Sequence, residues 1–301
     1  MLRPISLLVA LEVLLAPAPL QTKDKYTIKL KGVGKGESSW VERKVEHSVT
    51  TKTEIKDMGT ITDEGKSTKH DIYIETVLDR ADGVAVPTKA KRVYEKAMAE
   101  GNGPLAIKGP ATRPYHGKTV LIEKNAVNYE FKLEGGGVLD TDIEDLSLDF
   151  QGGGCLKVLK NLLPGRPVAV DETWKVDGKD IHVDRRSVAD FHVVKEEANA
   201  KLVKALRKDG RMWATIDVEI EVEFMSGAGK PGDGRSESFK FVTKLTFEGC
   251  IDGTKAEGRI SATIHSESTS ILSAQGMGSV VTRVAIIQGT LLHTWKEMPR
   301  K

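Results

Sequence analysis

The chain has 301 residues, 39% of them hydrophobic and 29% charged, with 45 Lys and Arg set against 43 Asp and Glu. That composition excludes a disordered chain, and the even spread of charge leaves no basic or acidic block with which to grip nucleic acid or an anionic membrane. Aromatic residues make up only 5%, so a core has to be assembled mainly from Val, Ile and Leu.

The first segment, MLRPISLLVALEVLLAPAPLQTKDK, has an early cation at Arg3, an apolar run from Ile5 to Ala16, small residues at Ala16–Ala18 and a charged stretch from Lys23. This layout predicts a secretory signal peptide over 1–22 and hence a periplasmic or extracellular protein. Glu12 interrupts the run and Pro19 would block cleavage just after Ala18, so a buried N-terminal helix is the alternative. The run is too short to span a bilayer. No Cys lies near the cleavage region to carry a lipid, and no later segment is apolar for long enough to cross a membrane.

Next comes LKGVGKGESSW, Leu30 to Trp40. A phosphate-binding loop needs Gly four residues before its Gly-Lys pair and Ser or Thr after the Lys. Around Gly34-Lys35 those positions hold Lys29 and Gly36, so both requirements fail. Tyr26, Ile28 and Leu30 alternate before the glycines, and Val41, Val45 and Val49 follow them. The expectation is a hairpin turned at Gly32, Gly34 and Gly36.

Further along, Ile72 and Ile74 continue a strand rhythm, and Asp82-Gly83 is a hairpin signal. Residues 88–99 read two ways. Ala90, Val93, Tyr94, Ala97 and Met98 suit a helix after Pro87, whereas the Asp-Gly turn makes the segment a return strand. KTVLIEKNAVNYEFKL reads as a hairpin, with Tyr129, Phe131 and Leu133 on one face. Leu139, Ile143, Leu146 and Phe150 then fall on one helical face. The acids Asp140, Asp142, Glu144 and Asp145 fail the calcium-loop pattern, which needs Gly and Glu where Asp145 and Gln151 stand. They suit a helix N-terminus instead. CLKVLKNLLPG predicts a short helix stopping before Pro164. Pro164–Pro167 is the best boundary between a β-rich half over 23–165 and another over 166–301, as two domains or one continuous domain.

In the second half, Asp180, His182 and Asp184 alternate, with His192 beyond them, an arrangement that could bind a metal or sit on a wet strand face. KLVKALRKDGRMWATIDV reads as strand, Asp209-Gly210 turn, strand. From Met212 to Phe224 seven apolar residues alternate with polar ones, a long strand with one wet face. Asp217, Glu219, Glu221 and Glu223 form a carboxylate stripe on that wet face, expected to pair with Lys240 and Lys244 across strands. Residues 226–236 read as a loop, Phe239–Phe247 and Ile260–Ile264 as strands, and SVVTRVAIIQGTLLHTW as a more central strand.

Cys155 and Cys250 fit either one disulfide or two buried thiols and are too few for a structural zinc site. Trp40, Trp174, Trp213 and Trp295 are core plugs or pocket linings. Gly-x-Ser-x-Gly, Ser-x-x-Lys, His-Glu-x-x-His and Cys-x-x-Cys are all missing, which points away from an enzyme. No catalytic, ligand-binding or metal-binding residue and no cofactor is assigned.

Four phrases, YTIKLKGVGKGESSW, LLPGRPVAVDETWKVDG, KLVKALRKDGRMWATIDVEIE and FEGCIDGTKAEG, resemble exported planctomycete-like proteins of unknown function. Those are distantly similar to curved antiparallel half-barrels such as the lipoprotein carrier LolA. The resemblance covers most of the mature chain and brings no site residues with it. Together these readings predict a β-rich α+β fold, with long antiparallel strands in one or two curved, half-barrel-like sheets and a few short helices on the concave side. The function expected is a non-enzymatic envelope protein binding a lipid or other apolar ligand in a groove of the sheet. A structural or protein-interaction module with a closed core is the alternative, and a metal enzyme using His182, Asp180 and Asp184 comes third.

Overall fold

The computed structural model describes residues 24–81, 86–107, 110–125, 128–137, 139, 143, 146–147, 150, 159–176, 191–226, 235–273 and 280–299. The strands are β1 (Lys25–Tyr26), β2 (Ser38–Ile55), β3 (Gly59–Asp79), β4 (Lys89–Gly101), β5 (Thr119–Lys124), β6 (Tyr129–Leu133), β7 (Val168–Ala169), β8 (Thr173–Val176), β9 (Phe191–Lys208), β10 (Arg211–Ser226), β11 (Arg235–Cys250), β12 (Glu257–Ser273) and β13 (Val280–Glu297). Eleven of them form one open antiparallel sheet in the order β6-β5-β4-β3-β2-β13-β12-β11-β10-β9-β8, and β1 with β7 makes a second, two-stranded sheet. The expected β-rich antiparallel architecture is therefore present, as one large sheet. Its edge strands, β6 and β8, have five and four residues, short enough to offer little backbone for pairing with another chain.

Two-residue periodicity explains most of the sheet. β10 puts Ala214, Ile216, Val218, Ile220, Val222 and Phe224 on a buried face. Asp209 and Gly210, both at positive φ, close the β9–β10 hairpin between Lys208 and Arg211. β5 and β6 pair as expected, Lys124 opposite Tyr129. β13, read as central from its β-branched composition, is sixth of the eleven strands and joins the two arms of the sheet by pairing with β2 and β12.

Two expectations change, and one open reading is decided. The glycine stretch does turn the chain into β2, with Gly36 at φ 77°, but the segment before it is not the hairpin partner of β2. Both sides of β2 are taken by β3 and β13. Residues 25–31 instead run as a strap across the sheet end. β1 pairs with β7, the Lys29 amide donates to the Ile251 carbonyl, and Lys31 Nζ reaches Glu297 at 2.9 Å. Tyr26, Ile28 and Leu30 point into the core, as their alternation suggested.

Residues 88–99 are strand rather than helix. β4 pairs with β3, and a bulge falls between the Ile72–Lys96 and Tyr73–Tyr94 pairs. On β3 the buried face carries Asp71, Tyr73 and Val77, so Ile72 and Ile74 lie half-buried on the opposite face. Helix is sparse. Ile143, whose amide donates to the Leu139 carbonyl, and Leu146, Ser147 and Phe150 are helical, as are residues 159–161 just ahead of Pro164. Leu139, Leu146 and Phe150 are buried, but Ile143 is 39% exposed, so the buried stripe is narrower than the sequence implied.

The core is one continuous cluster. It joins Phe131 and Leu133 at one sheet edge, Trp174 at the other, and Leu159 and Leu162 from the helical segment. Trp174 Nε1 donates to the Leu162 carbonyl at 2.9 Å and ties that segment to β8. Burial is deepest at the end crossed by the strap, where Val77, Ala90, Leu202, Ile216, Phe247, Ile251 and Ile260 are fully buried. This closed end positions everything that follows.

Candidate functional site

The two faces of the sheet offer different chemistry. On the wet face, a hollow of about 840 Å³ runs from β2 to β8 and is lined by Lys44, Glu46, Asn199, Lys201, Asp217, Glu219, Lys244 and Arg259 among others. A second hollow, about 550 Å³, adjoins it on the same face with Lys66, His265 and Gln288. The carboxylate stripe lies here and is neutralised as expected. Lys244 pairs with Glu219 at 3.2 Å, and Lys240 and Lys195 pair with Glu221 at 2.9 and 2.6 Å. The two lysines hold the Glu221 carboxyl well below its usual range. Asp217 accepts a hydrogen bond from Thr246. With its charges paired, this face resembles an ordinary solvated sheet surface.

The apolar face is sealed at the closed end and only partly covered beyond it. Phe239 and Phe241 of β11, Ile264 of β12, Leu291 and Ile287 of β13, and Val45 of β2 share this face and are half-buried. Cross-strand register places them together, with Leu291 between Ala262 and Val45, and Ile287 between Ser266 and Val49. Over β10 the face stays covered, since Val222 and Phe224 are buried. Gly258 and Gly289 on the central strands let large side chains lie close. A Cβ at Gly258 would meet Trp295 at 2.8 Å, and one at Gly289 would meet the His47 ring at 2.6 Å.

Where the sealed part ends, a polar row crosses the apolar face. His293, Arg43 and Asp71 stand opposite one another on β13, β2 and β3, between Ile260 and Ala97. Opposed residues in such a row lie about 5 Å apart, within interaction range. Asp71 is 2% exposed, and its Oδ1 has no hydrogen-bond partner among the described residues. Burial pushes the Asp71 carboxyl above its usual pKa, against the pull of Lys69, Arg43 and Arg92. His293 Nδ1 is likewise buried and unpartnered among the described residues. Burial, followed by the charges of Arg43 and Arg92, lowers the imidazole pKa to about 4. The ring sits 5.4 Å from that of Trp295. Each unsatisfied buried polar group costs roughly 1–3 kcal/mol.

Beside this row, Arg92 is enclosed. Its Nε donates to Glu75 at 2.7 Å, and its guanidinium lies 4.5 Å from the Tyr73 ring centroid and 5.1 Å from that of Phe150. The Tyr73, Tyr94 and Tyr115 rings follow one another beside it in tilted contacts, with centroids 5.1 and 4.7 Å apart. A cation so surrounded by rings is desolvated but still stabilised by its carboxylate and the aromatic faces.

Several residues singled out from sequence lie outside the described residues: Asp180, His182 and Asp184, the acids Asp140, Asp142, Glu144 and Asp145, and Cys155. His192 is exposed on β9. Cys250 is buried, and its thiol donates to Asp252 Oδ1 at 3.2 Å. Among the described residues no group of three His, Cys, Asp or Glu side chains is placed to hold a metal ion. Trp174 and Trp295 are core residues, while Trp213 is half-buried with Lys208 Nζ 5.1 Å above its ring. The His293–Arg43–Asp71 row was missed. Its signal was polar residues standing in phase with buried ones: Arg43 between Val41 and Val45, Asp71 beside Tyr73, and His293 between Leu291 and Trp295.

No protein-family model matches the chain, and no curated protein matches it.

Proposed function

We propose that this is a non-enzymatic exported protein, periplasmic or extracellular, that holds a lipid or other apolar ligand against the apolar face of its open sheet. The observation that carries this reading is the change in cover along one face. A sealed core continues into large apolar side chains, Phe239, Phe241, Ile264, Ile287 and Leu291, that are only half-buried. Ser266, Ser268, Thr243 and Gly289 stand between them in register, so the surface is a broken apolar patch, still of a kind that takes a ligand or partner. Covering it contributes about 25 cal/mol per Å² removed from water. Export is supported by the signal-like segment over 1–22, and no helix among the described residues is long and apolar enough to cross a membrane.

The test is native mass spectrometry of protein purified from an exporting bacterial host, beside its denatured mass. Extra native mass that solvent extraction identifies as lipid is the expected result, and the denatured mass locates signal cleavage. A clean ligand-free mass across several preparations would count against the reading. It would favour the alternative, a structural or interaction module with an envelope-protein partner, which the single core joining both sheet edges supports.

A further inference from the structure

We propose that the joined tips of the β2–β3 and β12–β13 hairpins dock on a lipid bilayer with neutral, zwitterionic head groups, where the apolar ligand is taken up or released. The docking surface stands on its own geometry and rests on the apolar-ligand reading above only for its purpose. Met58, 78% exposed, and Ile61, 55% exposed, stand at the β2–β3 tip, and the exposed Ile271 and Val280 frame the end of the neighbouring hairpin. The two tips are joined, since Val281 pairs with Ile55 and the Lys56 amide donates to the Val280 carbonyl at 3.1 Å. Apolar side chains occupy both faces here. Ile55, Ile61 and Val281 lie in phase with the buried face, and Ile271 and Val280 with the wet one. With Met225, Val193 and Val194 near the same end of β10 and β9, this end of the sheet holds the five most exposed large apolar side chains among the described residues. Single exposed apolar residues are ordinary, but their concentration at one end marks an interaction surface.

Shape and size favour a bilayer over a protein. β4 pairs with β3 only as far as Ser67, opposite Gly101, so Gly59–Glu64 project past it, all of them exposed. The four adjacent strands β3-β2-β13-β12 make a tip about 15 Å wide. Such a tip offers on the order of 300 Å², well short of the roughly 800 Å² per partner of a stable protein interface. A narrow apolar tip instead suits the acyl boundary of a bilayer, which closes around each side chain without a matching surface.

Charge selects the head group. Around the tip Lys52, Lys56 and Arg283 are set against Glu54, Asp57, Asp63 and Glu64, so no cationic excess draws the protein to anionic lipid. Zwitterionic head groups carry no net charge for the tip to oppose. Val281 and Ile55 also share their face with Ile287 and Val49, about 20 Å further along β13 and β2, with Arg283 and Ala285 between on β13. A hydrocarbon chain leaving the bilayer at the tip therefore meets the sheet on the side of the half-open apolar face.

The experiment floats the full mature chain with dioleoylphosphatidylcholine vesicles, with and without added phosphatidylglycerol. The unaltered protein should float with phosphatidylcholine alone, and phosphatidylglycerol should not strengthen binding. The double variant Met58→Asp, Ile61→Asp should bind at least tenfold more weakly with an unchanged urea midpoint, because both side chains are exposed. Leu206→Asp, which alters an exposed apolar residue beside the turn at the opposite end, should float like the unaltered protein. No flotation, equal flotation of the double variant, or binding that needs phosphatidylglycerol overturns the docking. So does a double variant that turns a dimer into a monomer in sedimentation without affecting flotation, since the tip would then meet a second copy. Native mass spectrometry separates the two readings. Bound lipid on a protein that does not float overturns the docking alone, and flotation of a protein that carries no lipid overturns the ligand reading alone.

Discussion

The two ends of the sheet are written in the same alternating code but finished differently. At the closed end, the strap through Tyr26, Ile28 and Leu30, the helical residues Leu159 and Leu162, and the Trp174–Leu162 hydrogen bond cover Leu202, Ile216, Phe247, Ile251 and Ile260. Further along the same strands, Phe241, Ile264 and Ile287 remain half-buried, and the residues in phase with them turn polar, with Thr243, Ser266, Ser268 and Thr51 on the same face. Alternation therefore says which side of a strand is apolar, and it leaves open what lies on top. The closed end is the more deeply buried; the half-open part is where the proposed ligand would lie.

The sharpest way to break this comparison is a pair of truncations. Phe247→Ala, at a fully buried closed-end site, should lose about 3–5 kcal/mol of unfolding free energy in urea. Phe241→Ala, on the same strand but half-buried, should lose less than about half as much. Equal losses would mean the two regions do not differ. Gly258→Ala comes next, because the new methyl meets Trp295 at 2.8 Å and Phe247 at 2.9 Å, at an expected cost of about 1–3 kcal/mol.

The polar row between the regions gives a pH prediction. His293 is held neutral in the folded protein down to about pH 4, whereas the unfolded chain takes up the proton near 6.5. Stability attached to this ring is complete above pH 6.5 and is lost as pH falls toward 4. Between pH 7 and 5 the protein should lose roughly 1–2 kcal/mol that His293→Gln does not lose. His47, lowered by burial and by Arg43, adds loss of the same sign in both proteins. Equal pH slopes for the two proteins would mean that His293 is not buried as described. Smallest of all should be the wet face. A double-mutant cycle on Glu219 and Lys244 should return a coupling under about 1 kcal/mol that fades with added salt, since both side chains are mostly exposed.

Much of the sheet could be read directly from sequence. Met212–Phe224 alternates without a break, Asp209-Gly210 supplies the positive φ its turn needs, and the apolar β13 is indeed central. Residues 88–99 resisted because of a bulge. The extra residue shifts the strand phase after Tyr94, so Tyr94 and Ala97 fall three apart and, with Ala90 two strand periods before Tyr94, mimic a helix face. The strap was misread because consecutive alternating segments usually pair, and here the second had both neighbours supplied from elsewhere in the chain. The polar row escaped notice because its three members are some 28 and 222 residues apart, and only register brings them opposite one another.

The most direct test of a ligand on the apolar face is a photoactivatable fatty acid, cross-linked to the native protein and mapped by peptide mass spectrometry. Labels on Phe239, Phe241 or Ile287 are predicted, with competition by unlabelled palmitate. Labels confined to the hollow lined by Lys44, Asp217 and Lys244, or unspecific labelling that palmitate does not reduce, would contradict the account.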